Sequence, residues 1–259
     1  MKKTLIVGNW KMHLNTQEAS LLVKRLDEHV KAQRSLEVVL APNMLVLQPI
    51  SLEIDSRKFG LAAQNAYSVD EGAFTGEVSF TMLRGLVDYV IVGHSERRIY
   101  FNESNKEIRD KIQAAIRNGI SPILCVGETK QEKAQKETKR VIHDQVTTAL
   151  SNLTSEEISK VVIAYEPVWA ISTFQGELAK PTDVRPVFEL IRTNISELYG
   201  IDVAEDMRLL YGGSVTADTV GGYLSISGCN GALVGGASIN YKQFSGIIDV
   251  AAKKLQAND

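Results

Sequence analysis

Short apolar runs recur eight times along these 259 residues, and most of the intervals between them read as amphipathic helices. The runs lie at Lys3 to Gly8, Glu37 to Ala41, Gly60 to Gln64, Tyr89 to Gly93, Ser121 to Val126, Val161 to Tyr165, Met207 to Tyr211 and Gly231 to Gly235. The helical pattern is clearest from Ser104 to Asn118, where Ser104 can cap the start, Glu107 stands three residues on and Gly119 ends the helix. Ile108, Ile112, Ala115 and Ile116 then share one face. The last interval, Tyr241 to Leu255, repeats the pattern with Phe244, Ile247, Ile248 and Ala251. Eight strands alternating with helices, without a long Pro- or Ser-rich linker or an abrupt change of composition, predict an α/β fold: a parallel sheet closed on itself as a single (β/α)8 barrel domain over residues 1–259. An open doubly wound sheet is the alternative. Its dinucleotide fingerprint belongs early in the chain, where Gly8-Asn9-Trp10-Lys11 lacks the glycine spacing, and no P-loop occurs.

The formal charge is only −2, with both signs mixed along the chain, so neither nucleic acid nor a membrane surface is expected as a main partner. Cys125 and Cys229 stand too far apart for a C-x-x-C motif, which fits a reducing compartment. The start, Met1-Lys2-Lys3-Thr4-Leu5-Ile6-Val7, imitates a charged leader but breaks at Gly8-Asn9, and no segment is apolar for long enough to span a bilayer. A soluble, cytoplasmic protein is expected.

Barrel enzymes work at the carboxyl ends of their strands. There this chain carries Asn9 and Lys11, read as two residues apart on an extended chain and pointing the same way; His94, Ser95 and Glu96; Gly127 and Glu128; Glu166; and the glycine-rich segments Tyr211-Gly212-Gly213-Ser214 and Gly235-Gly236-Ala237-Ser238. Each has a plain structural reading: a solvated lysine, a turn asparagine, a capping histidine, a glycine pair that permits a turn. Together their chemistry is coherent. Glycine-rich loops leading into helices present bare N–H groups to phosphate. Asn9, Lys11 and His94 could donate to a carbonyl oxygen that turns negative as Glu166 takes a proton from the neighbouring carbon. Pro167 ends the strand and stiffens the backbone that carries Glu166. The histidines make no metal-binding pattern and no G-x-S-x-G elbow is present, so metal and nucleophile mechanisms are disfavoured and no metal is expected. Cys125 reads as packing or support beside the site rather than as a nucleophile.

The strings Gly8-Asn9-Trp10-Lys11-Met12, Ala63-Gln64-Asn65, Gly72-Ala73-Phe74-Thr75-Gly76-Glu77, Val92-Gly93-His94-Ser95-Glu96-Arg97-Arg98, Leu124-Cys125-Val126-Gly127-Glu128-Thr129, Ala164-Tyr165-Glu166-Pro167-Val168-Trp169-Ala170, Tyr211-Gly212-Gly213-Ser214-Val215 and Leu233-Val234-Gly235-Gly236-Ala237-Ser238 follow one another in an order that resembles the triosephosphate isomerases end to end. The resemblance implies a TIM barrel that interconverts dihydroxyacetone phosphate and glyceraldehyde 3-phosphate through an enediolate, without a cofactor. It implies Glu166 as base and His94 as an uncharged electrophile at a helix N-terminus, an assignment for which this family is itself the standard illustration. Asn9 and Lys11 would support the oxyanion, Glu96 and Ser95 would stand behind them, and N–H groups near Ser172, Ser214, Gly235 and Gly236 would hold the phosphate. The stretch Pro167, Val168, Trp169, Ala170, Ile171, Ser172, Thr173, Phe174, Gln175 and Gly176 would be a lid that excludes water. Phe74 and Thr75 sit on a long loop that would reach into a second subunit, with Thr75 near the partner's active site and Glu77 toward the partner's Arg97, making a homodimer.

One region departs from the family. Ser172-Thr173-Phe174-Gln175-Gly176-Glu177-Leu178 replaces the usual Gly-Thr-Gly tip, and the stretch before Pro181 is about two residues longer. A glycine takes φ > 0 cheaply and Phe174 does not, so Gly176 is the candidate to assume that role in a reshaped lid. Two further functions stay open on the sequence: another sugar-phosphate isomerase or epimerase, and an impaired barrel of the same kind that binds without turnover.

Overall fold

The computed structural model of the chain describes residues 2–171 and 177–256. Eight parallel strands close into a barrel in sequence order: β1 Thr4–Asn9, β2 Leu36–Ala41, β3 Phe59–Ala63, β4 Tyr89–Val92, β5 Ser121–Val126, β6 Val162–Tyr165, β7 Arg208–Tyr211 and β8 Cys229–Val234. Helices fill the intervals, so the expected (β/α)8 architecture is the observed one. Two strand ends differ for a local reason. β3 stops before Gln64, whose side-chain amide donates to the carbonyls of Lys11 and Ala41 at 2.8 and 2.9 Å. β8 starts early, at Cys229, beside a register shift against β7 where the Asn230 side chain accepts the Leu209 N–H at 3.0 Å. The helix Asn105–Arg117 carries the expected capping box between Ser104 and Glu107, and its final helix counterpart runs Tyr241–Gln256.

Alternation along the strands sorts the core into two layers. Leu5, Val7, Val39, Ala41, Ala62, Tyr89, Ile91, Ile123, Cys125, Val162, Ala164, Leu210 and Leu233 form a cluster drawn from strands alone, which places it in the barrel lumen. The intervening strand residues, such as Ile6, Leu124, Tyr165 and Tyr211, join Ile108, Ile112, Phe244 and Ile247 from the helices in the outer layer. At the amino-terminal end of the lumen the Tyr89 hydroxyl donates to Glu37 at 2.7 Å, while Arg208 donates to Glu37 at 3.0 Å and to the Tyr89 oxygen at 2.9 Å. Burial pushes the Tyr89 phenol up to about 12. With that end filled, the mouth at the carboxyl ends is the open one. Among the described residues no helix is long and apolar enough to cross a membrane.

Ile123 is fully buried at the centre of this lumen layer. Ile123→Ala is expected to cost about 2–5 kcal/mol in denaturant unfolding, and a loss well under that range would mean that the lumen is not packed as described.

Candidate active site

Glu166 lies two residues beyond lumen-facing Ala164, so alternation aims its side chain into the mouth. The ladder continues past β6 to hold it: the Glu166 N–H donates to the Val126 carbonyl at 2.7 Å and the Val168 N–H to the Glu128 carbonyl at 3.1 Å. The carboxylate is 2% exposed. Its Oε2 accepts the Ser95 N–H at 3.2 Å, and its Oε1 stands 3.2 Å from His94 Nε2. Gly127 makes this seat possible, because a Cβ there would fall 1.8 Å from the Glu166 carbonyl oxygen. Gln145 fixes Gly127 from the helix Thr138–Leu150, accepting its N–H at 2.8 Å and donating to its carbonyl at 3.1 Å.

His94 would face the helices if alternation continued from Ile91. Gly93, at φ +72°, breaks the alternation and turns the next residue into the mouth. His94 then caps the helix Ser95–Tyr100, its Nδ1 accepting the Glu96 N–H at 3.3 Å. That contact leaves the ring proton on Nε2, the nitrogen facing Glu166.

Lys11 corrects the sequence reading. It does not continue an extended chain from Asn9 but sits at φ +51° in a turn, with its N–H donating to the Asn9 side-chain oxygen at 3.0 Å. The turn still brings Lys11 to the mouth, where its ammonium pairs with Glu96 at 2.6 Å. The Glu96 backbone N–H is the donor to His94 Nδ1, so Glu96 meets the cation with its side chain and the imidazole with its backbone. Cys125 is buried in the lumen, and burial followed by the nearby Glu166 charge pushes its thiol well above the usual range, as befits a packing residue. Arg98 was unremarked in the sequence beyond its place after His94. Its guanidinium donates to the carbonyls of Gly93 at 2.7 Å and Cys125 at 3.1 Å, tying β4 to β5 beneath the site.

Asn9, Lys11, His94, Glu166, Ser214 and Gly235 meet around a cavity of about 290 Å³. Ser214 is not bare as expected: its N–H donates to the Ala170 carbonyl at 3.3 Å and its hydroxyl to the same oxygen at 2.9 Å. The Lys11 stem passes Gly235 closely, and Gly236 opens the turn Gly236–Ile239 that follows. Of the expected lid, Pro167 and Ile171 flank the turn Val168–Ala170, while Ser172, Thr173, Phe174, Gln175 and Gly176 lie outside the described residues. The Trp169 indole donates to Glu128 at 2.8 Å, with the Lys133 ammonium 3.0 Å from its ring centre. The Tyr165 hydroxyl also donates to Glu128, at 3.2 Å.

A second cavity, of about 460 Å³, opens beside Lys11 and is lined by Gln64, Glu77, Arg97 and Phe101 among others. Thr75 and Glu77 are exposed, and Phe74 is 41% exposed with its ring 4.6 Å from that of Tyr67. Arg97 pairs within the chain with Glu103 at 3.2 Å.

Burial pushes the Glu128 carboxyl above the ordinary glutamate value, with the Trp169 and Tyr165 donors pulling the other way. The folded chain therefore holds this proton more tightly than the unfolded one. At low pH both states are protonated and nothing is lost; stability then falls as pH rises through the ordinary carboxylate range toward the raised folded value, and the loss is constant above it. Glu128→Gln cannot ionise and keeps an acceptor for the indole. Its stability relative to wild type should climb in denaturant unfolding as pH rises above the ordinary glutamate value of about 4.3, and a flat or falling difference would contradict this account.

A family model described as Triosephosphate isomerase matches residues 4–251. Triosephosphate isomerase of Clostridium tetani (strain Massachusetts / E88) is 44% identical over 250 residues, which is 96% of this chain and 97% of that protein. The protein of the same name from Caldanaerobacter subterraneus subsp. tengcongensis is 43% identical over 96% of this chain and all of its own length. That of Clostridium perfringens (strain SM101 / Type A) is 41% identical over the same shares. With the match running from the first strand into the last helix and taking in every side chain of the mouth, the chain belongs to the triosephosphate isomerase family.

Proposed function

We propose that this chain interconverts dihydroxyacetone phosphate and D-glyceraldehyde 3-phosphate, as an isomerase of glycolysis and gluconeogenesis acting in the cytoplasm. The reading is supported above all by one juxtaposition: a buried carboxylate, Glu166, 3.2 Å from a ring nitrogen of His94 that carries its proton, at the edge of a cavity the size of a small phosphorylated sugar. Glu166 removes a proton from the carbon next to the carbonyl and returns it to the neighbouring carbon. The His94 Nε2–H donates to the carbonyl oxygen, taking it as partner in place of Glu166, gives that oxygen its proton and takes the proton of the neighbouring hydroxyl, so that the hydroxyl and carbonyl oxygens exchange roles while the ring ends as it began. Asn9 and the Lys11 ammonium face the developing negative charge, with Glu96 holding Lys11 in place. Gly235, Gly236 and Ser214 receive the phosphate, and Ser214 exchanges the Ala170 carbonyl for it.

The same reading includes a homodimer. Phe74, Thr75 and Glu77 project from the barrel, and the cavity beside Lys11 offers a concave surface next to Arg97. Met12 and Phe101, 94% and 66% exposed, give this side of the molecule apolar area that a second copy would cover.

A coupled assay with both triose phosphates tests the chemistry. Glu166→Gln should lower kcat by at least about 10²–10⁴-fold, the share of a general base, and a pure wild-type protein that turns over neither compound overturns the proposal. Sedimentation equilibrium tests the assembly: wild type is expected as a dimer and Thr75→Arg as a monomer, whereas a monomeric wild type refutes the interface.

A further inference from the structure

Behind the glycine-rich segment after β7 stand two stacked tyrosines that the reaction does not use directly. The rings of Tyr211 and Tyr223 lie 3.9 Å apart and 21° from parallel. Tyr211 ends β7, and its ring edge fills the space beside the next glycine but one: a Cβ on Gly213 would fall 2.1 Å from the Tyr211 hydroxyl oxygen. Its own hydroxyl is buried without a hydrogen-bond partner among the described residues, so the ring acts as a packed wedge there. Tyr223 comes from the short helix Val220–Leu224 and is 2% exposed. Its hydroxyl donates to the buried Ala179 carbonyl at 2.6 Å.

That bond reaches a different part of the chain. Ala179 is fully buried just before the long helix Pro181–Tyr199, whose start is fixed by the Lys180 N–H donating to Asp183 at 2.9 Å. The same short helix meets this start a second time, since a Cβ on Gly222 would touch the Pro181 ring at 3.5 Å. The glycine-rich segment is therefore held from two directions. Ser214 is bonded to the carbonyl of Ala170, and Gly213 rests on a tyrosine pair bonded to the carbonyl of Ala179.

We propose that Tyr223 is a positioning residue for the phosphate subsite, setting the Gly212–Val215 backbone through Tyr211 and locking it to the chain at Ala179. The proposal rests on the reading that this segment receives the substrate's phosphate. It predicts a selective defect, because the hydroxyl of Tyr223 is bonded to Ala179 and its ring belongs to the outer layer of the core, not to the lumen that opens on Glu166 and His94. Tyr223→Phe keeps the stacked ring and removes only the donor, leaving the buried Ala179 carbonyl unsatisfied.

The test compares phosphorylated with phosphate-free substrate in the same preparation. In Tyr223→Phe the KM for glyceraldehyde 3-phosphate and the Kd for inorganic phosphate should rise about three- to tenfold, the range of one lost hydrogen bond. The slow isomerisation of unphosphorylated glyceraldehyde should keep its rate. Equal losses on both substrates, or no change on either, would overturn the role. Phosphate binding measured by calorimetry needs no turnover, so it judges Tyr223 separately from the reaction: a wild type that binds phosphate but turns over neither triose phosphate refutes the assigned activity alone, and a variant that binds phosphate as tightly as wild type refutes the role of Tyr223 alone.

Discussion

Burying a carboxylate to 2% exposure is expensive unless donors meet it, and much of the barrel mouth is arranged around meeting this requirement at Glu166. The Ser95 N–H and the His94 ring supply the donors, and both depend on the left-handed turn at Gly93 that starts the helix Ser95–Tyr100. The backbone of Glu166 is tied to β5 at Val126, in space that exists only because residue 127 has no side chain. Gln145 and Arg98 hold the surrounding carbonyls from outside the lumen. Removing any of these supports leaves a buried polar group short of a partner, which costs about 1–3 kcal/mol for a neutral group and more for a charged one. The site is stiff because its burial leaves few alternatives.

Charge is distributed with equal economy. Lys11 is balanced by the Glu96 carboxylate, and the Glu96 backbone N–H donates to His94, so one residue orients both the cation and the imidazole. Trp169 and Tyr165 share Glu128, which anchors the chain just beyond Glu166 to the end of β5. At the opposite end of the lumen Glu37, Tyr89 and Arg208 satisfy one another. The polar side chains inside the barrel thus collect at its two ends, and the layer around Ile123 between them is apolar.

Most of the fold was legible because short apolar runs and capping signals are local. The eight strands fall within about two residues of their expected places, and the Ser104–Glu107 capping box is present. The residues of the mouth were legible as a set, since strand ends mark where a barrel works. Their geometry was less so. Lys11 reaches the mouth through a left-handed turn that no periodicity announces, and His94 does so against the alternation. Gln145 sits on the buried face of a helix between Ile142 and Val146, where its only signal is a polar residue out of place. Tyr223 is invisible in sequence for a simpler reason: its partners Ala179 and Tyr211 are near it only after the barrel closes.

The bond from Ser214 to Ala170 has a consequence for how binding energy is used. One N–H cannot serve both the Ala170 carbonyl and an incoming anion, so on the proposed reading the phosphate is a competitor for a contact the protein already makes. Ala170 lies four residues from Glu166, on the same short span of backbone. A substrate lacking the phosphate leaves that contact in place, and with it the free protein's arrangement beside the base. The group that never reacts is then the one that reports arrival to the group that does, and a truncated substrate would lose rate as well as affinity.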